Sequence, residues 1–253
     1  MCDQNSEEMQ TLRDRYCEIK VMMIFMTTSI YSASCKDCEN DVIIIHDSSH
    51  KPFCNALKMS SYKIKELCLK NILVEAHEVT TIGSSIDAVY PAVETLMQFR
   101  NRNAMSINSI RNIILKVMSK LLILSASQLA FLKLESYNIV IDRNQNVKLI
   151  GLKNMINVEP TYSVLCSKPI KYQNNHPECE WYPFNNMCQN IGRLAYFLYS
   201  GQIPNDETHK IKQTLNVIDN KELREFILDL IHPGPEQMDF FEIIIHPFVT
   251  KVM

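Results

Sequence analysis

The stretch FLKLESYNIVIDRNQNVKLIGLK, residues 131–153, decides the fold that we expect for the whole chain. Two short runs rich in β-branched residues, 138–141 and 147–150, flank the polar segment 142–146. Strand-forming residues on both sides of an Asn- and Asp-rich turn predict a β-hairpin. Directly before this stretch, residues 106–127 carry apolar side chains at helical spacing, with Ser106 as a candidate N-cap. The centre of the chain therefore predicts a long helix, a short loop, a hairpin and then a glycine.

The composition predicts a folded protein with a sizeable core. The chain has 253 residues, of which 46% are hydrophobic and 21% are charged, a balance typical of globular proteins. Its net charge is −2, so no excess of basic residues indicates a nucleic-acid or membrane partner. The apolar segment 21–30 is too short to cross a bilayer. We therefore expect an intracellular protein, cytoplasmic or nuclear, that binds neither nucleic acid nor membrane.

The nine cysteines predict reduced thiols and no metal site. Their number is odd and their spacing irregular, which argues against a disulfide framework in a chain of this size. Cys35 and Cys38 form a single CxxC, but a structural zinc site needs two further ligands, and no second pair follows at a useful spacing. An ordinary surface turn between two strands explains this motif better.

Hydrophobic periodicity divides the chain into a β-rich first third and a helical remainder. We predict strands at 21–31, 42–46 and 53–59, a helix at 61–79, and one or two short strands within 86–99. A polar linker at 100–105 and a long surface loop at 154–180 are also predicted. Further helices are predicted at 185–199, 210–218, 221–231 and 238–245. The expected fold class is α+β, with a leader at 1–20, a sheet lobe with one helix at 21–99 and a helical lobe at 100–253.

Six segments in sequence resemble the motifs of one large enzyme superfamily. Ala56-Leu57-Lys58, near the end of a predicted strand, resembles a V-A-I-K strand, and Glu75 follows where a helical glutamate pairs with that lysine. Residues 131–138 align with H-R-D-L-x-x-x-N, matching at Leu134 and Asn138. The remaining segments align with D-F-G, with A-P-E, with a buried central helix and with the closing helices: 151–153, 176–178, 191–201 and 223–248. In this order the chain resembles the eukaryotic protein kinase-like superfamily.

The resemblance implies a two-lobe fold, with a small β-rich N-lobe and a larger helical C-lobe, and a degenerate active site. Lys133 stands where the family has its catalytic Asp, and Gly151 stands where it has the Asp that binds magnesium. No glycine precedes residue 83, whereas close approach of backbone to phosphate relies on glycine. Lys58, Glu75 and Asn138 are the remnant of a nucleotide and metal site in this alignment.

Three functions are compatible with these residues. The first is a catalytically inactive kinase-like protein that acts by binding proteins, as a regulator, scaffold or decoy, with an active kinase or its substrate among the expected partners. The second is a divergent Ser/Thr protein kinase with weak phosphotransfer from ATP and magnesium, in which Glu135 acts as a displaced base beside Lys58, Glu75 and Asn138. The third is an α+β interaction module unrelated to kinases. The first requires no cofactor.

Overall fold

The chain is an α+β protein, as predicted, and it divides into two compact units at residues 1–94 and 95–253. The computed structural model describes residues 12–25, 28–37, 40–47, 61–82, 85–127, 129–131, 134–142, 144–151, 155–157, 185–202, 215–231 and 240–251. The predicted strand at 53–59 lies outside these residues. The division between the units falls just before a helix that begins at Leu96, whereas the boundary predicted from the sequence lies at 99–100.

Unit 1 is built on a five-stranded antiparallel sheet. Its strands are β1 (Tyr16–Phe25), β2 (Thr28–Cys35), β3 (Asp41–Asp47), β4 (Glu78–Ile82) and β5 (Ser85–Pro91). They lie in the order β1-β2-β3-β5-β4, so β1 and β4 form the two edges. One helix, α1 (Ser61–Leu69), lies between β3 and β4 along the chain. All four residues from Val42 to Ile45 in the central strand β3 are buried, so both of its faces are covered.

The amino-terminal residues belong to this sheet unit. Residues 12–15 form a helical turn, and β1 begins at Tyr16, inside the segment 1–20 that was treated as a leader. Leu12 and Tyr16 are buried in a cluster with side chains from β2, β3 and β5: Tyr31, Ala33, Val42, Ile44 and Val89. The single strand predicted at 21–31 is in fact two antiparallel strands, with Phe25 paired to Thr28.

The helix predicted at 61–79 is wrong beyond Leu69. Asn71 adopts a left-handed conformation with φ of 57°, which short polar residues tolerate best after glycine. Its N–H donates to the carbonyl of Cys68, and the N–H of Ile72 donates to the carbonyl of Leu67, at 2.9 Å each. This Schellman arrangement ends α1, and the chain continues through an irregular segment into β4. The apolar residues at 72, 73, 76 and 79 have the spacing of a helix, but they lie in this irregular segment and in β4.

Unit 2 consists mainly of helices around small strand pairs. Its elements are α2 (Leu96–Arg102), α3 (Ile107–Ala126), β6 (Leu129–Phe131), β7 (Ile139–Ile141), β8 (Val147–Leu149), β9 (Met155–Asn157), α4 (Asn185–Ser200), a 3-10 turn (Leu215–Val217), α5 (Lys221–Ile231), α6 (Phe240–Ile245) and α7 (Pro247–Thr250). The predicted hairpin is confirmed as the antiparallel pair β7–β8. The predicted helix at 106–127 is confirmed as α3, and Ser106 is its N-cap.

Two connections in unit 2 differ from prediction. α2 occupies part of the predicted linker at 100–105, because Thr95 and Gln98 form a capping box that starts a helix at Leu96. The predicted loop at 154–180 begins with β9, which pairs with β6; residues 158–184 lie outside the description. In the predicted helix at 210–218, the described residues 215–217 form a 3-10 turn.

The core of unit 2 forms where α3 packs against α4, α7, β6 and β8. α4 also packs closely on α5, because Gly192 leaves room for Leu230: a Cβ built on Gly192 would lie 2.8 Å from the Leu230 Cβ. Arg100 closes the far end of α4 by donating hydrogen bonds to the carbonyls of Leu198 and Tyr199, at 2.6 and 2.7 Å. Among the described residues, no helix combines the length and apolar character needed to cross a membrane.

Candidate functional site

The candidate site is the segment 134–151, which comprises the loop before β7, the hairpin β7–β8 and Gly151. Asn138 is the centre of the loop and is only 1% exposed. Its side-chain Oδ1 accepts a hydrogen bond from the N–H of Glu135 at 3.3 Å, and its own N–H donates to the carbonyl of Glu135 at 2.9 Å. The side chain of Asn138 thus closes the loop on itself.

The hairpin is held by Asp142 at the start of its turn. One carboxylate oxygen of Asp142 accepts hydrogen bonds from the N–H groups of Asn144 and Asn146, and the other accepts from the Asn146 side-chain amide, all between 2.8 and 2.9 Å. Burial alone would raise the pKa of Asp142, but these hydrogen bonds from Asn146 and Asn144, with the charge of Lys116, lower it. The Asn and Asp residues of 142–146 therefore form the turn itself.

Gly151 lies two residues after the end of β8 and is buried, with a φ of 96°. The N–H of the preceding Ile150 donates to the carbonyl of Asn138 at 2.8 Å, which keeps Gly151 and Asn138 on adjacent stretches of backbone. Its φ lies in a region that residues with a Cβ rarely adopt. Since glycine has no side chain, this position contributes no side-chain metal ligand and no side-chain acid or base.

The other residues singled out in the sequence are not brought together in the described structure. Lys58 and Lys133 lie outside it. Glu75 is exposed in the irregular segment after α1, so the prediction that it lies on a helix is wrong, because Asn71 ends that helix. Glu135 is half-buried beside Asn138, with its backbone committed to the loop.

In the described segment 134–151, the two positions that the kinase alternative assigns to magnesium are Asn138 and Gly151. Asn138 uses its side-chain oxygen within the loop, and Gly151 has none to offer. A magnesium site is built from carboxylates and other oxygens with near-octahedral geometry. Within the described ranges, no group of three His, Cys, Asp or Glu side chains could hold a metal ion. The four described cysteines form no disulfide with one another: Cys17, Cys35, Cys68 and Cys188.

A cluster of three lysines beside the hairpin was not found from the sequence. Lys116 and Lys120 lie one helical turn apart on α3, and Lys148 is the central residue of β8, which packs against α3. All three are half-buried. Burial first, and then the charges of Lys148 and Lys116, lower the pKa of Lys120. The i,i+4 spacing on α3 was visible in the sequence, but the approach of Lys148 depends on tertiary packing.

A buried ionisable pair also joins the two central strands of unit 1. His46 of β3 and Asp87 of β5 face each other in the sheet, and the His46 Nδ1 lies 2.6 Å from a carboxylate oxygen of Asp87. Their side chains are 12% and 6% exposed. The pair satisfies two polar groups inside the sheet, and its position between paired strands gives it a structural role.

His246, near the carboxyl terminus, is the N-cap of a short helix. The His246 Nδ1 accepts a hydrogen bond from the N–H of Phe248 at 3.0 Å, and so caps the short helix α7. Arg111 of α3 holds the same region by donating to the Phe248 carbonyl and by lying over its ring, 5.1 Å from the centroid. These contacts join α7 to α3.

Comparison of the chain with protein-family models and with curated proteins gave no match.

Proposed function

We propose that this chain is a degenerate member of the protein kinase-like superfamily, without phosphotransferase activity, that works by binding other proteins as a regulator, scaffold or decoy. The order of its elements supports the proposal. An antiparallel sheet with one helix precedes a long helix, a loop with a buried Asn, a hairpin and further helices. The motifs quoted above fall in that same order along the sequence.

The observation that carries the loss of activity is the pair Asn138 and Gly151. Phosphoryl transfer is achieved by positioning and by charge stabilisation, and it depends on a carboxylate that holds magnesium at the phosphates. In the proposed alignment Gly151 replaces that carboxylate. Its φ of 96° is a conformation that glycine adopts easily and that Asp rarely adopts. Asn138 retains the residue type of the second metal ligand, but its oxygen accepts the Glu135 N–H.

The substitution of Lys133 at the position of the catalytic base supports the same proposal. A lysine that carries its proton cannot accept another from an attacking hydroxyl group. Removal of both the base and the metal ligand lowers the rate of an enzyme by several orders of magnitude. A protein partner, such as an active kinase or its substrate, and an intracellular site of action are part of this proposal.

Two measurements on the full chain test the proposal. The first is phosphotransfer from ATP to a generic protein substrate with magnesium or manganese, comparing the wild type with Lys58→Ala and with the control Lys65→Ala. We expect no turnover above background in any of them. Robust turnover that is lost in Lys58→Ala and kept in Lys65→Ala would refute the proposal and select a divergent kinase.

The second measurement is thermal unfolding with increasing ATP and magnesium. A ligand that binds only the native state must raise the unfolding temperature. Because the proposal holds that the chain does not bind ATP, we expect no shift. An upward shift that Lys58→Ala removes would indicate a retained nucleotide site and favour the divergent kinase.

A further inference from the structure

The lysine cluster, defined as Lys116, Lys120 and Lys148, is a concentration of positive charge in a chain whose net charge is −2. The 20 residues of α3 include three basic side chains and no Asp or Glu. The strands β7 and β8 beside it also contain no acid, and Lys148 is their only charged residue. All charged residues of α3, β7 and β8 are therefore basic.

The packing of β8 on α3 brings the backbones that carry the three lysines together. Residues four apart on a helix lie on the same face, with their Cβ atoms about 6 Å apart, and this applies to Lys116 and Lys120. In β8, Val147 and Leu149 are buried and Lys148 between them is less so, so Lys148 projects from the other face of the hairpin. The Nζ of Lys116 reaches the carbonyl of Gln145, three residues before Lys148 in the sequence. Burial, and then the charges of Lys148 and Lys116, lower the pKa of Lys120.

Little within the described structure neutralises this charge. No hydrogen bond or ion pair joins Lys120 or Lys148 to another described residue. The Nζ of Lys116 donates to the backbone carbonyl of Gln145 at 2.8 Å, which fixes its position and leaves two of its three donors for a ligand. Against the effect of burial, hydrogen bonds from Asn146 and Asn144, and then the charge of Lys116, lower the pKa of Asp142. Hydrogen bonds in the hairpin turn engage both of its carboxylate oxygens.

We propose that the lysine cluster is a binding site for a phosphate group carried by a phosphorylated segment of a protein partner. A phosphate monoester has close to two negative charges and three acceptor oxygens, which matches three ammonium groups that converge as point charges. A carboxylate supplies one charge and two oxygens. Nucleic acid requires a longer basic track with aromatic side chains for its bases, and the cluster has neither.

This inference rests on the proposed function only in assigning the phosphate to a protein partner, since the anion site does not depend on whether the chain has lost catalysis. It predicts that binding weakens as salt rises, because the contacts are between charges at a surface.

Binding of a short fluorescent phosphoserine peptide to the full chain tests the proposal. The measurement is fluorescence anisotropy at about 50 mM and about 200 mM salt, against the same peptide without phosphate. The test variant is Lys120→Gln with Lys148→Gln. Its matched control is Lys20→Gln with Lys221→Gln, which changes the net charge equally at two lysines whose side chains are each 75% exposed. Circular dichroism and thermal unfolding establish that all of them are folded.

We expect the phosphopeptide to bind, and its affinity to fall at least about tenfold in Lys120→Gln/Lys148→Gln, the effect of losing one or two charge-assisted hydrogen bonds. The control variant should keep the wild-type affinity. Equal affinity for the two peptides, or equal loss in both variants, would overturn the proposal. Inorganic phosphate that competes as strongly as the phosphopeptide, or anionic phospholipid vesicles that bind more tightly than it, would overturn the assignment to a protein partner.

Discussion

The guanidinium of Arg15 donates two hydrogen bonds to the carboxylate of Glu78 and so connects the two edges of the sheet in unit 1. Arg15 directly precedes β1, and Glu78 is the first residue of β4, at the opposite edge. The residues between these strands in the sheet belong to β2, β3 and β5. Leu12, in the helical turn just before Arg15, is buried in the cluster on this sheet.

We expect the Arg15–Glu78 pair to stabilise unit 1 modestly and only when Glu78 is ionised. Both side chains are partly exposed, at 48% and 31%, so Arg15→Ala and Glu78→Gln should each lower the free energy of unfolding by no more than about 1 kcal/mol. Chiefly because of the hydrogen bond from Arg15, the pKa of Glu78 is lowered from 4.5. Its contribution is present above pH 4.5 and is lost as the pH falls through the lowered pKa.

A double-mutant cycle in urea, run at pH 7 and again near the lowered pKa, measures this coupling. The control is the pair Lys221 and Glu225, which lies within one helix and is more exposed, and its coupling should be smaller. A coupling between Arg15 and Glu78 that is unchanged at low pH would contradict the prediction that the pair stabilises unit 1 only when Glu78 is ionised.

We predict that Asn138 stabilises the loop at 134–138 and does not bind a metal ion. Asn138→Asp keeps an acceptor for the Glu135 N–H but adds a charge at a position that is 1% exposed. Burial of a charge without a partner is costly, so we expect a loss of about 1–3 kcal/mol in unfolding free energy. Asn144→Asp, at an exposed position in the nearby turn, is the control and should cost much less.

Urea denaturation with and without magnesium measures both effects. If Asn138 is structural, magnesium leaves the unfolding free energy of Asn138→Asp unchanged. Recovery of stability on addition of magnesium, seen for Asn138→Asp and absent for Asn144→Asp, would show that this loop still holds a metal-binding geometry.

Local patterns in the sequence predicted the centre of unit 2, because the signals there act over a few residues. The β-branched runs around 142–146 specify β7 and β8, and Ser106 supplies the cap of α3. The end of α1 was missed because Asn71 terminates the helix through its backbone conformation, while the apolar residues after it continue the helical period. Capping by Thr95 and Gln98 was present in the sequence as a T-x-x-Q motif and was overlooked.

The lysine cluster could not be predicted for a different reason. Lys116 and Lys120 share a helix face by their spacing, but Lys148 reaches them only because β8 packs on α3. Contacts between distant parts of the chain depend on how faces pack, which neither periodicity nor composition specifies. Glu75 illustrates the same limit, since its expected role required a helix that ends before it.

Removal of the charge on Lys120 is predicted to stabilise the protein. Burial first, and then Lys148 and Lys116, lower the pKa of Lys120 from 10.5, so its charged form is disfavoured in the folded state. Lys120→Gln should raise the free energy of unfolding by a few tenths of a kcal/mol, the size of a charge interaction near the surface. The control Lys221→Gln loses its pair with Glu225 and should show no gain.

The pH dependence of this effect follows from the direction of the shift. Below the lowered pKa, Lys120 is charged in both states and its full cost is present. As the pH rises through that pKa toward 10.5, the folded state loses its proton first and the wild type gains stability. The difference between wild type and Lys120→Gln should therefore narrow at alkaline pH, as measured by urea denaturation. A difference that is constant with pH would exclude repulsion within the cluster as its cause.

Gly192→Ala is predicted to disturb the contact between α4 and α5. The new Cβ would lie 2.8 Å from the Leu230 Cβ and 3.0 Å from the Ile231 Cγ1, and overpacking of this kind costs about 1–3 kcal/mol. Alanine returns about 1 kcal/mol through its helix propensity, so we expect a smaller net loss of unfolding free energy. Asn112→Ala, at an exposed position on α3, is the control and should be neutral or stabilising.

In the Gly192→Ala background, Ile231→Ala should lower the free energy of unfolding by less than it does in the wild type, because it removes one of the two clashing atoms. Equal cost in both backgrounds, measured by urea denaturation, would show that α4 and α5 do not approach as closely as this.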